Sequence, residues 1–179
     1  MRPRLSWRPG RIGVLFVLMF AVSTPRASEE AAPPALKAAF LLNFAKFAEW
    51  PREVDAAGPL ALCVLHDHAS EDALAQLVSG ASINGRPVTV ARSISRDRLR
   101  SCHVAYLGPD DALDAVLADL RMAPVLTVGD GELFARHGGV VGLLIEGNKM
   151  RFVINPGAAL RNGLRLSSKL LALATLVHD

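Results

Sequence analysis

The segment Gly138–Asn155, GGVVGLLIEGNKMRFVIN, decides how the chain is read. Its apolar runs read as two strands, and Gly147-Asn148 between them suits a tight hairpin turn. In the second strand, alternation with Met150 and Phe152 puts Arg151 on the polar side. A hairpin at this position closes a chain that has alternated strand and helix from residue 60 onward. It therefore reads as an antiparallel edge on an otherwise parallel sheet.

Working outward, Leu60–Leu65 (LALCVL) is an unbroken apolar run after a Gly-Pro break, as expected of a strand buried on both faces. Val88–Ala91, His103–Leu107 and Val125–Val128 read as three further strands. Ser70–Val78, with Ser70 as N-cap, and Asp110–Leu120, with acidic residues in its first turn, read as helices. Ile94–Arg100 reads as a solvated helical turn, and a short helix runs through Leu133 and Phe134. Ala35–Trp50 has helical spacing at Leu36, Phe40, Phe44, Phe47 and Trp50, with Ala39 and Asn43 on the same face and Lys37, Lys46 and Glu49 at polar positions. Pro51 stops it, leaving Trp50 at the helix end beside Arg52 and partly exposed. A last helix, Ser167–Val177, has Leu170, Leu171, Ala174 and Val177 on one side. These elements predict an α/β three-layer sandwich: a mostly parallel open sheet, helices on both faces and a C-terminal antiparallel hairpin. In the common 2-1-3-4-5 order the first and third strands are neighbours.

The formal net charge of +3 for the 179 residues is misleading. Met1–Ala27 holds five of the 20 basic residues and none of the 17 acidic ones. The remainder is mildly acidic, which argues against nucleic acid as a partner. Residues 1–27 read as a secretory signal: four arginines, an apolar run Ile12–Val22 too short to span a bilayer, then Ser23, Thr24 and Pro25. Cleavage after residue 23 or 27 would leave a short lead-in, 28–34, a domain over 35–179, and nothing inserted in the membrane. In an oxidising compartment Cys63 and Cys102 can pair. The strand order supports this, because the first and third strands carry them.

No catalytic constellation emerges, and the sequence implies no cofactor. Loops at the strand ends contain His66-Asp67-His68, Asp110-Asp111 and Asp130, where open α/β sheets bind ligands. Asp67, Asp110 and Asp130 invite comparison with a cation site, but helix capping and turn formation account for Asp110, Asp111 and Asp130 separately. His66 and His68 lack a third ligand at zinc spacing. A ligand site near His66, Asp110 and Asp130 is one reading. The other is a basic face from Lys149, Arg151, Arg161, Arg165 and Lys169, with Trp50 and Arg52, suited to an anionic ligand or an acidic protein surface.

Ordered blocks across the chain resemble the YfiR-like family of periplasmic regulators. They are residues 38–51 (AAFLLNFAKFAEWP), 62–65 (LCVL), 85–88 (GRPV), 102–104 (CHV), 126–130 (LTVGD), 146–155 (EGNKMRFVIN) and 164–171 (LRLSSKLL). The resemblance implies a non-enzymatic periplasmic α/β protein that binds the periplasmic sensor domain of an inner-membrane diguanylate cyclase and represses it, lowering cyclic-di-GMP and restraining biofilm. It also implies a homodimer and dependence on an oxidised fold. Some members carry a second cysteine pair, whereas this chain has two cysteines in all.

Overall fold

The computed structural model describes residues 32–55, 58–110, 112–147 and 149–176. The expected leader, Asp111, Asn148 and Val177 fall outside them. Helix α1, Pro34–Phe47, starts on a proline, whose fixed φ suits a first helical turn and whose missing N–H is not needed there. It ends three residues before the predicted Trp50. Ala48–Glu49 becomes a short strand, β1, and α2 (Arg52–Asp55) follows Pro51. The buried stripe of α1 is Lys37, Ala38, Leu41, Phe44 and Ala45. It is rotated from the predicted one: Asn43 and Phe47 face outward, Phe40 is half-buried, and Lys37 points in. Apolar residues occur on most sides of this helix, so periodicity alone does not select one face.

Strand β2 (Leu60–Leu65) leads to α3 (His68–Leu77). The N-cap of α3 is Asp67, whose carboxylate accepts from the Ser70 amide at 3.0 Å, so the helix begins before the predicted Ser70 cap. β3 (Ser82–Ile83) and β4 (Arg86–Ala91) form a hairpin. Asn84 and Gly85 both take positive φ at its turn, matching the strand twist. A 3₁₀ turn, Arg96–Ser101, precedes β5 (Val104–Leu107). Then come α4 (Leu113–Leu120), β6 (Leu126–Asp130), α5 (Glu132–Arg136), β7 (Val141–Glu146) and β8 (Lys149–Ile154). The chain closes with α6 (Pro156–Arg161), β9 (Arg165–Leu166), α7 (Ser168–Leu171) and β10 (Thr175–Leu176).

The main sheet runs β10-β8-β7-β6-β5-β2-β4-β3. Its parallel part, β4-β2-β5-β6-β7, is the expected 2-1-3-4-5 order, and β7 and β8 make the antiparallel hairpin from Val141↔Ile154 to Glu146↔Lys149. Alternation along the strands gives the sheet two buried faces. Leu62, Val64, Val104, Tyr106 and Val128 pack with Leu41 and Phe44 of α1 and Leu74 of α3. Cys63, Leu65, Ala105 and Leu107 pack on the other side with Leu99, Leu117, Leu120 and Phe134. The Phe134 ring sits so close to the backbone at Gly129 and Gly139 that a Cβ at either would lie 2.2 or 2.1 Å from it, so both positions exclude a side chain.

The C-terminal helix is shorter than predicted. α7 ends at Leu171, and Thr175–Leu176 pairs in parallel with Val153–Ile154 of β8. Ala172–Ala174 offers no polar face that would hold a helix on the surface, while the edge of β8 offers backbone hydrogen bonds. β1 and β9 form a separate two-stranded sheet, with Ala48 opposite Leu166 and Glu49 opposite Arg165.

Candidate functional site

Cys63 in β2 and Cys102 just before β5 are bonded, with their Cα atoms 6.0 Å apart and both side chains buried. The bridge ties two adjacent parallel strands, in agreement with the sequence reading.

At the opposite, carboxyl ends of these strands lies a polar cluster centred on Lys37. Its ammonium donates to the Tyr106 hydroxyl at 2.5 Å, to Asp130 Oδ2 at 2.8 Å and to Asp67 Oδ2 at 3.3 Å. It also lies 4.8 Å from the centroid of the Tyr106 ring. Tyr106 donates in turn to Asp130 Oδ2 at 2.8 Å. Burial, and then the negative charge of Asp130, push the phenol far above its usual range, so Tyr106 remains a donor at any accessible pH. One cation thus serves two carboxylates, and Asp130 Oδ1 is buried with no hydrogen-bond partner among the described residues.

Burial raises the Asp67 pKa, but hydrogen bonds from the Ser70 hydroxyl and amide, with the charge of Lys37, outweigh it and leave the carboxyl below its ordinary 3.8. A depressed folded pKa stabilises the fold above the unfolded value, and that contribution is lost as pH falls through the folded value. Asp67→Asn is therefore expected to be less stable than the parent at neutral pH, with the gap closing below pH 3.8. Urea titrations across that range measure it, and a constant gap would remove Asp67 from the acid response.

The three residues of the strand-end reading come together in part. Asp110 and Asp130 border one open cleft of about 630 Å³, with Leu107, Gly108, Leu113 and Phe134. His66 joins through Asp110, its Nε2 lying 2.7 Å from Asp110 Oδ2. Asp110 also accepts from the Ala112 amide at 2.8 Å, the local role expected of it. Among the described residues no group of three His, Cys, Asp or Glu is placed to hold a metal ion.

The residues of the basic reading are distributed differently. Trp50 is buried rather than partly exposed: its indole N–H donates to the His103 carbonyl at 3.2 Å and its ring meets the His103 ring edge-on at 5.6 Å. The early end of α1 turns it inward, out of reach of a partner. Arg52 is exposed on α2. Arg161 borders a small cavity of about 60 Å³ beside α4, with Asp114 and His137. Arg151 instead borders a groove of about 420 Å³ between α1 and β8, lined by Phe40, Phe47, Met150, Phe152 and Leu173. Lys169 is exposed beside the groove-lining Leu170, and Arg165 is exposed opposite Glu49 on β9.

Sequence reasoning missed two features. One is Lys37, a polar position by sequence, which lies four and seven residues before the buried Leu41 and Phe44, on their stripe. The other is the apolar groove, because helical spacing alone does not tell a stripe that is core from one left partly open. Phe40, Phe44 and Phe152 do pack edge-on at 5.2 to 6.1 Å, but Phe47 is 39% and Leu173 73% exposed.

Fold and site together define a disulfide-tied, doubly wound α/β protein with an open apolar groove bordered by a cation. The chain belongs to the YfiR/HmsC-like family, whose model matches residues 34–175. That family is regulatory, non-catalytic and periplasmic, and is associated in general terms with the periplasmic domain of a diguanylate cyclase. No curated protein matches the chain. Among solved structures it is similar to a conserved domain protein from Vibrio cholerae O1 biovar El Tor strain N16961, at 15% identity and a TM-score of 0.51 over 82% of this chain. It is also similar to an ABC domain in complex with L-Trp from Streptococcus pneumonia, at 9% identity and a TM-score of 0.51 over 81% of this chain. The chain spans 60% of the length of each, and at such identities the likeness establishes the fold.

Proposed function

We propose that this chain is a periplasmic repressor: released from a signal over residues 1–27, it folds over 35–179 and binds the periplasmic sensor domain of a membrane diguanylate cyclase. Family membership supports this reading, and the observation that carries it is the groove between α1 and β8. There, the exposed Phe47 and Leu173 join the half-buried Phe40, Met150 and Phe152 in one continuous apolar lining beside Arg151. Among the described residues no helix is long and apolar enough to cross a membrane, so on this reading the chain reaches the membrane through its partner. Binding would favour the inactive arrangement of the cyclase by the difference in affinity between its two states, and cyclic-di-GMP would fall. Self-association is part of the same proposal. No step requires catalysis by this chain.

Charge reversal at Arg151, alone or with Lys169, is expected to weaken capture of the cyclase domain by about tenfold or more while leaving the fold intact. Pull-down from a membrane fraction, with melting curves beside it, measures both. Unaltered capture by the double variant would remove the basic face from the interface.

A second reading has its own observation. The strand-end cleft is bordered by Asp110 and by Asp130, whose buried Oδ1 has no hydrogen-bond partner among the described residues, as a site for a small molecule would. Thermal-shift screening of anions, nucleotides and amino acids separates the two, since a tight ligand raises the melting temperature in proportion to the logarithm of its concentration.

A further inference from the structure

Strand β8 lies near one margin of the main sheet. Among the described residues, its outer neighbour β10 pairs only with Val153 and Ile154. Among the described residues no strand pairs with 149–152 on that side, which leaves backbone N–H and C=O groups of this edge for another strand. The two faces of this edge differ. Met150 and Phe152 pack toward α1 and line the apolar groove, which the exposed Phe47 and Leu173 extend. Lys149 and Arg151 alternate with them and are exposed, with Glu146 of β7 opposite Lys149 and its carboxylate 3.9 Å from Arg151 Nε. The only charged residue bordering the groove, among those described, is the cation Arg151.

We propose that this open edge takes up an extended segment of the partner protein, alternating apolar and acidic residues, as an added strand. Its backbone would complete the hydrogen bonding of β8, its apolar side chains would enter the groove, and its carboxylates would stand opposite Lys149 and Arg151. The inference rests on the protein-capture reading above and supplies the mode of capture. Charge selects this occupant over a second copy of the chain. Two β8 edges paired antiparallel, with groove side kept to groove side, set Arg151 against Arg151 or Lys149 against Arg151. Like charges directly opposite each other destabilise a strand pair. Glu146 offsets one of the two cations, and the face, still net positive, disfavours a second copy and favours an acidic strand.

The probe is a short synthetic peptide alternating glutamate with leucine. Its controls are the same peptide N-methylated at alternate backbone positions and a version with lysine in place of glutamate. With the chain lacking residues 1–27, the first peptide is expected to slow amide hydrogen exchange at residues 149–152. N-methylation is expected to lower affinity about tenfold or more by removing main-chain donors, and Arg151→Glu to weaken the glutamate peptide while favouring the lysine one. Arg151 is exposed and its 3.9 Å ion pair with Glu146 is solvent-facing and weak, so this variant keeps the fold. Equal binding of the N-methylated peptide, protection confined to other residues, no binding of any peptide, or a dimer joined through residues 149–152 each overturns the added-strand mode. Binding as expected by a chain that captures no cyclase upholds this mode and rejects the cyclase reading alone.

Discussion

Replacing Lys37 by methionine is expected to destabilise the protein by about 3 kcal/mol, because it strands two carboxylates that share one buried cation. Lys37 Nζ is the common donor to Asp67, Tyr106 and Asp130, and its side chain is 5% exposed. Methionine keeps the length and apolar stem, so packing along α1 changes little and the loss reports electrostatics. For a chain of this size such a loss corresponds to a melting temperature lower by about 10 °C. The double variant Lys37→Met, Asp130→Asn should recover part of it, since the carboxylate left unpaired by the first change is neutralised by the second. Chemical denaturation of the four proteins of that cycle measures the coupling. A single-variant loss below about 1 kcal/mol would mean that water serves Asp130 as well as the ammonium does.

The second large effect concerns the bridge between β2 and β5. Cys63 and Cys102 are 39 residues apart, and releasing a loop of that length in the unfolded chain is worth about 4 kcal/mol on the chain-entropy account. That is a large fraction of the 5 to 15 kcal/mol typical of a domain. The double variant Cys63→Ser, Cys102→Ser and the reduced parent are therefore both expected to melt well below the oxidised protein. On the repressor reading both also lose repression, because less of the chain is folded. Calorimetry with and without reductant tests the first statement, and cyclic-di-GMP in cells carrying the variant tests the second. A serine variant that melts and represses like the parent would reduce the bridge to a bystander.

Much of the sheet was legible in residue order. Leu60–Leu65, Val104–Leu107 and Leu126–Asp130 are short apolar runs between turn and helix signals, and their sequence implies parallel neighbours. The two cysteines agreed with that arrangement, because adjacency of the first and third strands brings them within bonding distance. The strand-end cleft was also foreseeable from Asp110 and Asp130, since loops at that end of such sheets converge. What failed was decided by tertiary contact. α1 carries apolar residues on several sides, so whether Phe40 or Leu41 faced inward depended on the sheet it met. A lysine reads as solvent-facing until a pair of carboxylates from distant loops is placed over it, as Asp67 and Asp130 are over Lys37. The residues after Leu171 went to the edge of β8 because its hydrogen-bonding groups were available there, which no local pattern records. Trp50 moved inward for a related reason: Ala48–Glu49 found a partner strand in Arg165–Leu166.

The contact between Lys37 and Asp130 joins residues 93 positions apart, with the whole run of β2 to β6 between them. A chain emerging N-terminus first would therefore present α1 long before its anchoring carboxylate arrives. Until then the greasy side of that helix, Leu41 and Phe44 included, can meet α3 and β2 but not β6, whose Val128 belongs to the same core. Fragments cut short before residue 130 would lack both that carboxylate and the Val128 face, and would clump more readily than the whole chain.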